Sequence, residues 1–311
     1  MVGNDGYAAA RKSVRAYTSR LEFYKEFCAL KKITGTETLK DLGHLWAYVA
    51  WLRQQRKYAG EGKERKRSGE NFSDRYMQNI VSTLATFAAT LDIDTVGKKV
   101  LKKLGYAKKE TVAYSQQELN LLWPAMTPDE ELLYKFFLWS MGRDQEVATR
   151  EVRDLDFVNN TVHFSPNRER HFRLKSKRNR RGNVGDRYVP LHPDLMLKLR
   201  EYIDRAGKKD DDLVFAALNG GVEQHFLRRL EGIVNRAGLK LSPKVKPHRF
   251  RKSRATLHYN SGKCVPLATV SQWLGHSSLQ QTEEYLDVKA TAPAQDHIRA
   301  MVVAGPLAAH V

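Results

Sequence analysis

The strongest constraint on the fold is a stretch of three short helices with a clear stop signal between them. Pro247 begins the first helix and Gly262 ends it. Its apolar side chains recur at helical spacing, at Phe250, Ala255, Leu257 and Tyr259. Pro266 begins the second helix and Gly275 ends it, because glycine accepts the left-handed conformation that closes many helices. Ser278 is a suitable cap for the third helix, LQQTEEYL, so the stretch predicts three helices joined by tight turns.

Four polar side chains stand in this stretch where they could meet. His248 and Arg251 are three residues apart and share one helical face. His276 follows the Gly275 turn, and Tyr285 lies in the second turn of the last helix. A lone His or Tyr is more often structural than catalytic. Together, however, these groups offer the cations, hydrogen-bond donors and nucleophile that a phosphodiester reaction needs.

The motifs H-R-F-R at 248–251 and L-G-H-S-S at 274–278, with a tyrosine nine residues after His276, resemble the catalytic half of the tyrosine recombinase (phage integrase) family. The resemblance covers residues 113–290. It implies that Tyr285 is the nucleophile and that the neighbouring histidines and Arg251 serve a scissile phosphate. It also implies an arginine and a lysine from upstream segments, the lysine on a β-hairpin.

Arg143 is the upstream arginine that the resemblance implies. It follows Gly142 at the end of a strongly apolar segment, LLYKFFLWSM, and Glu146 three residues later would orient its guanidinium. The family usually has one residue between the glycine and the arginine, whereas this chain has none. Arg150 and Arg153, expected deeper in the helix that follows, remain alternatives.

The implied lysine is expected in a segment of predicted β-structure. The segment LDFV-NN-TVHF predicts a hairpin turned by two asparagines. Strand-like segments at 172–174 and 187–191 follow, joined by a basic loop, and R-Y-V-P-L at 187–191 matches the segment that follows the lysine in the family. Lys175, directly after F-R-L, is the preferred catalytic lysine, and Lys177 is the alternative.

The resemblance implies a division of labour. Arg143 and Arg251 would hold the non-bridging oxygens of a DNA phosphate, and the two histidines would donate hydrogen bonds or assist proton transfer. Lys175 would protonate the leaving 5′ oxygen, and attack by Tyr285 would give a 3′-phosphotyrosyl intermediate. Because this covalent bond keeps the energy of the phosphodiester, no metal, ATP or other cofactor is predicted.

The charge balance predicts a polyanionic partner. The 311 residues include 53 Lys and Arg against 35 Asp and Glu, for a net charge of +18 and a pI near 9.8. Double-stranded DNA with a specific core site is the predicted partner. A membrane partner is disfavoured because no apolar run of ~18 residues occurs. Cys28 and Cys264 are far apart in the sequence and have no metal-ligand residues grouped with them, which favours a reduced compartment. We therefore predict a cytoplasmic, nucleoid-associated protein.

The periodicity predicts a mainly α fold with a small antiparallel β-sheet in two domains. Residues 1–106 would form a helical core-binding domain with a helix at 37–56, and residues 107–114 a linker. Residues 115–290 would form the catalytic domain, and residues 291–311 a tail that the resemblance allows to be exchanged between protomers. Two basic loops are predicted to contact phosphates, with solvated loops as the alternative. Their residues are Lys63, Arg65, Lys66, Arg67, Lys177, Arg178, Arg180 and Arg181.

The predicted function is site-specific DNA recombination of the integrase type, through a Holliday junction. The resemblance implies a homotetramer on DNA and a monomer or weak oligomer when free. Three alternatives remain: a type IB topoisomerase-like strand transferase, a non-catalytic DNA-binding protein of the same fold, and a basic RNA-binding protein with chance motifs.

Overall fold

The computed structural model of the chain describes residues 11–56, 69–94, 97–104, 112–167, 169–170, 172, 174, 186–260 and 265–286. Its contacts divide the chain into two units, Met1–Lys109 and Glu110–Val311. The two basic loops and the preferred lysine lie outside the described residues: Lys63, Arg65, Lys66, Arg67, Lys175, Lys177, Arg178, Arg180 and Arg181. The tail at 291–311 lies outside them too.

The first unit is helical in its described part. It contains α1 (Arg11–Leu30), a 3-10 turn (Glu37–Lys40), α2 (Leu42–Gln54), α3 (Asp74–Ala89) and α4 (Gly97–Lys103). Phe27 lies at its centre, with ring centroids 5.2 Å from Tyr48 and 5.6 Å from Trp51. The face that α3 buries follows the helical spacing, at Met77, Ile80, Val81 and Leu84. Burial of one stripe on each helix therefore holds this unit together.

The continuous helix predicted at 37–56 was wrong, because the chain breaks at Asp41. Asp41 is extended (φ −92°, ψ 119°), and its carboxylate accepts a hydrogen bond from Gly43 N at 2.8 Å. This contact caps α2 and satisfies a backbone donor that helix formation leaves unpaired. The same contact competes with helical continuation through Asp41, and the segment becomes a 3-10 turn followed by an α-helix.

The second unit begins with two helices that are capped alike. They are α5 (Gln116–Leu122) and α6 (Pro128–Ser140), joined by a 3-10 turn (Trp123–Ala125). Ser115 Oγ accepts from Glu118 N at 3.1 Å, and the Glu118 carboxylate accepts from Ser115 N at 2.8 Å. Thr127 and Glu130 repeat this capping box at the start of α6. The left-handed Met141 (φ 49°) ends α6, and α7 (Asp144–Ala148) and a second 3-10 turn (Val152–Asp154) follow.

A three-stranded antiparallel sheet comes next, in the order β1 (Leu155–Asp156), β2 (Thr161–Phe164) and β3 (Arg187–Pro190). β1 and β2 form the predicted hairpin, with Leu155 opposite Val162 and the left-handed Asn160 (φ 52°) in the turn. Phe172, in the segment expected to be a strand, forms a single bridge with Asn167.

β3 pairs with β2, so that Phe164 lies opposite Arg187 and His163 opposite Tyr188. Side chains alternate between the two faces of a strand, which turns Arg187 inward and leaves Tyr188 exposed. β3 thereby places the Arg187 side chain in the interior of the second unit.

Five helices complete the described part of this unit: α8 (Pro193–Arg205), α9 (Phe226–Arg236), α10 (Pro247–Asn260), α11 (Leu267–Leu274) and α12 (Leu279–Leu286). α10 packs chiefly on α6, where Phe250 stacks on Tyr134 with ring centroids 5.5 Å apart. Of the apolar residues whose spacing predicted this helix, Phe250 and Ala255 are buried, whereas Leu257 and Tyr259 are exposed.

The described residues confirm the predicted fold class, mainly helical with one small antiparallel sheet. Searching the same residues finds no helix with the length and apolar character needed to span a membrane.

Candidate active site

Arg143 is held at the junction between α6 and α7. Gly142 packs so closely before it that an added Cβ would lie 2.7 Å from Val147 Cγ2 and 3.0 Å from Phe164 Cζ, so only glycine fits. Arg143 caps α7 in an extended conformation: its N–H donates to Glu146 Oε2 and its Nη1 to Glu146 Oε1, both at 2.8 Å. The predicted orienting contact between Arg143 and Glu146 is therefore present, although no residue separates Gly142 from Arg143.

Glu146 is a buried carboxylate shared by three arginines. Besides Arg143, it accepts from Arg187 Nη2 at 2.7 Å and Nη1 at 3.3 Å, and Arg251 Nη1 lies 3.9 Å away. Burial by itself would raise the pKa of Glu146, but the arginines, led by Arg187, outweigh burial and lower the pKa to about 2. Glu146 is therefore ionised at neutral pH, yet it neutralises only part of the positive charge around it.

Arg187 joins this cluster to the L-G-H turn. Its Nε donates to Trp273 O at 2.7 Å, and its guanidinium lies 4.4 Å from the centroid of the Phe164 ring. Gly275 is left-handed (φ 59°), and a Cβ there would lie 3.0 Å from Arg187 Nη1. Gly275 therefore serves both the turn and the close passage of the guanidinium.

Arg251 enters from α10 and is fully buried. It donates to the carbonyl oxygens of Met141 and Leu274, while its Nε has no hydrogen-bond partner in the described part of the chain. Burial, with repulsion from Arg143 and Arg187, lowers the pKa of Arg251 to about 9, although Tyr285 and Glu146 oppose the shift. The Nε–H of Arg251 therefore remains available as a donor within the described residues, and the surroundings disfavour the positive charge of the guanidinium. A bound anion would accept that hydrogen bond and compensate that charge, so the arrangement suits an anion-binding site.

His276 lies just beyond α11, as predicted from the Gly275 turn. Its Nδ1 is 2.9 Å from Thr282 Oγ1, and its Nε2 is 3.3 Å from Arg251 Nη2. Because a guanidinium can only donate, Nε2 accepts from Arg251 and Nδ1–H donates to Thr282. Burial, followed by repulsion from Arg251 and Arg143, lowers the pKa of His276 to about 3, so the imidazole is neutral at physiological pH.

Tyr285 projects from α12 between two imidazoles. Its ring meets those of His276 and His248 edge-on, with centroids 5.3 and 5.7 Å apart. The hydroxyl oxygen is shielded from solvent and makes no well-formed hydrogen bond within the described residues. Burial raises the pKa of Tyr285 to about 12, while Arg251 and Arg143 act in the opposite direction. The hydroxyl thus lies within the influence of the cations that would lower the barrier to its ionisation.

The structure brings together most of the predicted site residues from separate elements: Arg143, Glu146, His248, Arg251, His276 and Tyr285. Lys175 and its alternative Lys177 fall outside the described residues. Nowhere in the described ranges do three or more His, Cys, Asp or Glu side chains gather closely enough to hold a metal ion.

The two alternative arginines lie elsewhere, and neither belongs to the helix expected to contain it. Arg150 follows α7 and is fully buried, where Nη1 donates to His163 O and Nη2 to Ser165 O, both at 2.9 Å. Arg153 lies in a 3-10 turn, pairs with Glu151 at 2.6 Å and is half-exposed. Arg150 therefore braces β2, and Arg153 pairs with the buried carboxylate of Glu151. Of these three candidates, Arg143 is the one that acts on Tyr285.

Two contacts in the site, those of Arg187 and Thr282, were not predicted from the sequence. Arg187 was noted only as part of R-Y-V-P-L, although a charged residue at an inward strand position is itself a signal of a buried ion pair. Thr282 stands three residues before Tyr285 and therefore on the same side of α12, the spacing from which its contact with His276 could have been proposed.

Comparison with known proteins identifies relatives. The chain matches the phage integrase family over residues 116–291. Tyrosine recombinase XerC of Oceanobacillus iheyensis is 28% identical over 204 residues, covering 59% of this chain and 57% of the relative. The chain thus spans little more than half the length of that protein. Tyrosine recombinase XerA of Pyrococcus furiosus is 21% identical over 287 residues, which are 89% of this chain and 93% of the relative.

Solved structures share the fold at low sequence identity. The Tn1549 transposon integrase in complex with transposon right end DNA aligns with a TM-score of 0.68 at 14% identity, over 96% of this chain and 95% of that one. The XerH site-specific recombinase bound to its difH substrate gives 0.64 at 17% identity, over 94% and 81%. A lambda integrase dimer bound to a core site gives 0.60 at 14% identity, over 92% of each chain. Since the family match spans more than half of its residues, the chain belongs to the phage integrase (tyrosine recombinase) family.

Proposed function

We propose that the protein is a site-specific DNA recombinase that cuts and rejoins DNA through Tyr285. The observation that carries the proposal is the convergence of Arg143, Arg251, His248 and His276 on Tyr285 from separate elements. Each of these residue types has a role in phosphoryl transfer, and their positive charge exceeds what Glu146 neutralises. Relatives that are tyrosine recombinases or integrases, some of them in complex with DNA, support the same activity.

In the proposed reaction, the Tyr285 oxygen attacks the scissile phosphorus and transfers its proton to a nearby base. The bond from phosphorus to the 5′ oxygen breaks, and Lys175 protonates that oxygen as it leaves. The products are a 3′-phosphotyrosyl bond and a free 5′-hydroxyl. Attack by the 5′-hydroxyl of another strand reverses the sequence, joins the DNA and releases Tyr285, so no external energy source is consumed.

The arginines supply the electrostatic part of catalysis. Arg143 and Arg251 would bind the non-bridging oxygens, whose negative charge grows in the transition state. Because Arg251 is buried, water screens its charge little, and its interaction with the phosphate is strong. Arg251 Nη2 donates to His276 Nε2 at 3.3 Å, and in the proposed complex a phosphate would take over that donor. His276 Nε2 would then be free to accept the phenolic proton, and His248 would donate a hydrogen bond or assist proton transfer.

The proposal extends to partners and domains. The substrate would be double-stranded DNA with a specific core site, bound by a protein that is a monomer or weak oligomer when free. On DNA, a homotetramer would exchange strands in pairs through a Holliday junction.

Residues 1–106 would form the core-binding domain, 107–114 the linker and 115–290 the catalytic domain. The tail at 291–311 would pack on a neighbouring protomer, and the protein would act in the cytoplasm, as the bacterial origin of the XerC relatives suggests.

A suicide DNA substrate tests the proposal. DNA taken from sequence flanking the gene and nicked beside the candidate site would trap the covalent intermediate on a denaturing gel. We expect a protein–DNA band with the wild-type protein and none with Tyr285→Phe. Tyr188→Phe and Tyr259→Phe are matched controls, because both tyrosines are exposed and Tyr188 stacks on His163 away from the arginines.

A band that survives in Tyr285→Phe would place the nucleophile elsewhere and overturn the proposed mechanism. Tight DNA binding with no band across a library of flanking sites would favour a non-catalytic protein of the same fold. Relaxation of supercoiled DNA without any joining at a fixed site would favour a topoisomerase-like activity.

A further inference from the structure

Lys252 lies against the proposed nucleophile and has no part in the chemistry described above. It follows Arg251 on α10, and its Nζ is 5.7 Å from the centroid of the Tyr285 ring. His248, four residues earlier on α10, meets the same ring edge-on at 5.7 Å. Residues at i, i+3 and i+4 share a helical face, so α10 presents His248, Arg251 and Lys252 together to Tyr285.

The side chain of Lys252 is nearly buried, at 8% exposure. In the part of the chain that the structure describes, its ammonium makes no ion pair and no hydrogen bond. Burying most of a lysine side chain beside no counter-charge costs free energy, so a structural role alone gives no reason for a lysine here. Glu146 already serves three arginines and gives Lys252 no counter-charge.

A cation at this position can act on the phenol. When Tyr285 attacks, negative charge develops on its oxygen and spreads into the ring, and a cation against the ring favours that charged state. Arg251 and Arg143 already favour ionisation of Tyr285. Lys252 adds an ammonium beside the ring itself.

We propose that Lys252 is a further catalytic residue, whose ammonium stabilises the phenolate character of Tyr285 during attack and during its release in the joining step. Lys252 takes no part in proton transfer: the bond from the Tyr285 oxygen to phosphorus forms, and the bond to the 5′ oxygen breaks. This role rests on the proposed function, because it takes Tyr285 as the nucleophile.

The charged and titratable groups that face Tyr285 determine how its ionisation is tested. Within the described residues they are Arg143 from the α6–α7 junction, His276 from the turn after α11, and His248, Arg251 and Lys252 from α10. Arginine side chains in proteins carry their positive charge throughout the neutral range. A change confined to Lys252 therefore isolates the contribution of its ammonium.

The first measurement needs no DNA. Fluorotyrosine placed at position 285 has a phenol more acidic than that of tyrosine, and its fluorine NMR signal follows ionisation. We expect Lys252→Met to raise the pKa of this phenol, since it removes a cation, and Lys252→Arg to leave it close to the value with lysine. Lys198→Met, on the exposed side of α8, is the matched control and should not change the titration.

The second measurement is single-turnover cleavage of the suicide substrate at saturating DNA. We expect Lys252→Met to cleave about tenfold more slowly at neutral pH, a factor between those of exposed and fully desolvated cation–aromatic interactions. The deficit should shrink as the pH rises and the phenol ionises without help. Lys252→Arg should cleave within about twofold of wild type.

Two outcomes would overturn the proposal. If Lys252→Met weakens DNA binding while cleavage at saturating DNA and the phenol titration stay unchanged, Lys252 only binds a phosphate. If Lys252→Met and Lys252→Arg lower the melting temperature and the cleavage rate together, Lys252 only packs the site. Failure of the proposed function is distinguished by the covalent band, which would then either persist in Tyr285→Phe or be missing from the wild-type protein.

Discussion

Two arginines on α10, Arg249 and Arg251, are both buried and yet are held in opposite ways. Arg249 Nη2 lies 2.7 Å from each carboxylate oxygen of Glu118, and its guanidinium lies 3.9 Å from the centroid of the Tyr114 ring. Its other donors reach the carbonyl oxygens of Val112, Ala113 and Pro243. Arg251 instead has two carbonyl partners, an Nε without a partner in the described residues, and Glu146 at 3.9 Å.

The difference separates a structural arginine from a functional one. Arg249 has its charge compensated and its donors used, so nothing remains for a ligand. Arg251 is placed among other arginines with only a shared carboxylate nearby, and burial lowers its pKa to about 9. A bound anion would relieve this excess of charge, whereas the face of Arg249 would gain nothing from one. Uncompensated charge, rather than burial, therefore distinguishes the arginine of the candidate site from the structural one.

Arg251→Lys should produce the largest effect on activity. Lysine keeps the charge but loses the planar fork that suits two phosphate oxygens. We expect single-turnover cleavage to fall by at least about a thousandfold, with the free energy of unfolding changed by less than about 1 kcal/mol. If activity instead falls in proportion to stability, Arg251 has a structural role like that of Arg249.

Glu146→Gln should affect both activity and stability. It leaves Arg143 and Arg187 without their carboxylate, so we expect the free energy of unfolding to fall by about 3 kcal/mol and cleavage to slow about a hundredfold. Denaturant unfolding and the trapped-intermediate assay measure the two losses. An unchanged free energy of unfolding would show that the arginines do not depend on this carboxylate.

The pH dependence of stability gives a separate check on Glu146. Its folded pKa of about 2 lies below its ordinary value of 4.5. The carboxylate therefore stabilises the fold fully above pH 4.5, and this contribution is lost as the pH falls through about 2. Denaturant unfolding from neutral pH down to this range should show a steeper decline for the wild type than for Glu146→Gln. Parallel declines would contradict the assignment.

Arg249→Met should reverse the pattern seen with Arg251. We expect the free energy of unfolding to fall by about 3 kcal/mol, because Glu118 and three carbonyl groups lose their donor. Cleavage by the protein that remains folded should stay within about threefold of wild type. A double-mutant cycle with Glu118→Gln would show the coupling. A large loss of cleavage by fully folded protein would mean that both faces of α10 serve the site.

Thr282→Val should have a modest effect on both stability and activity. It removes the acceptor for His276 Nδ1–H but keeps the shape of the side chain, so we expect a loss of about 1 kcal/mol in stability and about a tenfold slower cleavage. Thr282→Ser, which keeps the hydroxyl, should restore most of the rate. If serine fails to restore it, packing rather than the hydrogen bond is what Thr282 contributes.

Local signals allowed much of the fold to be predicted from the sequence. The capping residues Ser115 and Thr127, the left-handed Gly275 and the shared face of His248 and Arg251 all involve partners a few residues apart, and the structure contains each of them. The family and the fold class are confirmed as well. The local errors, such as the helix drawn through Asp41, arose where a side chain offered the backbone a competing hydrogen bond.

The sequence by itself determined the helices, their turns and the residue types that phosphodiester chemistry needs, because capping and periodicity act over short distances. Only the tertiary structure decided which arginine faces Tyr285, that Arg187 crosses from β3 to Glu146 and the L-G-H turn, and that Lys252 lies against the Tyr285 ring. These contacts join residues up to 132 positions apart, such as Arg143 and Gly275. They depend on how α6, β3, α10 and α12 pack, and that packing leaves positive charge around Tyr285 that Glu146 only partly neutralises.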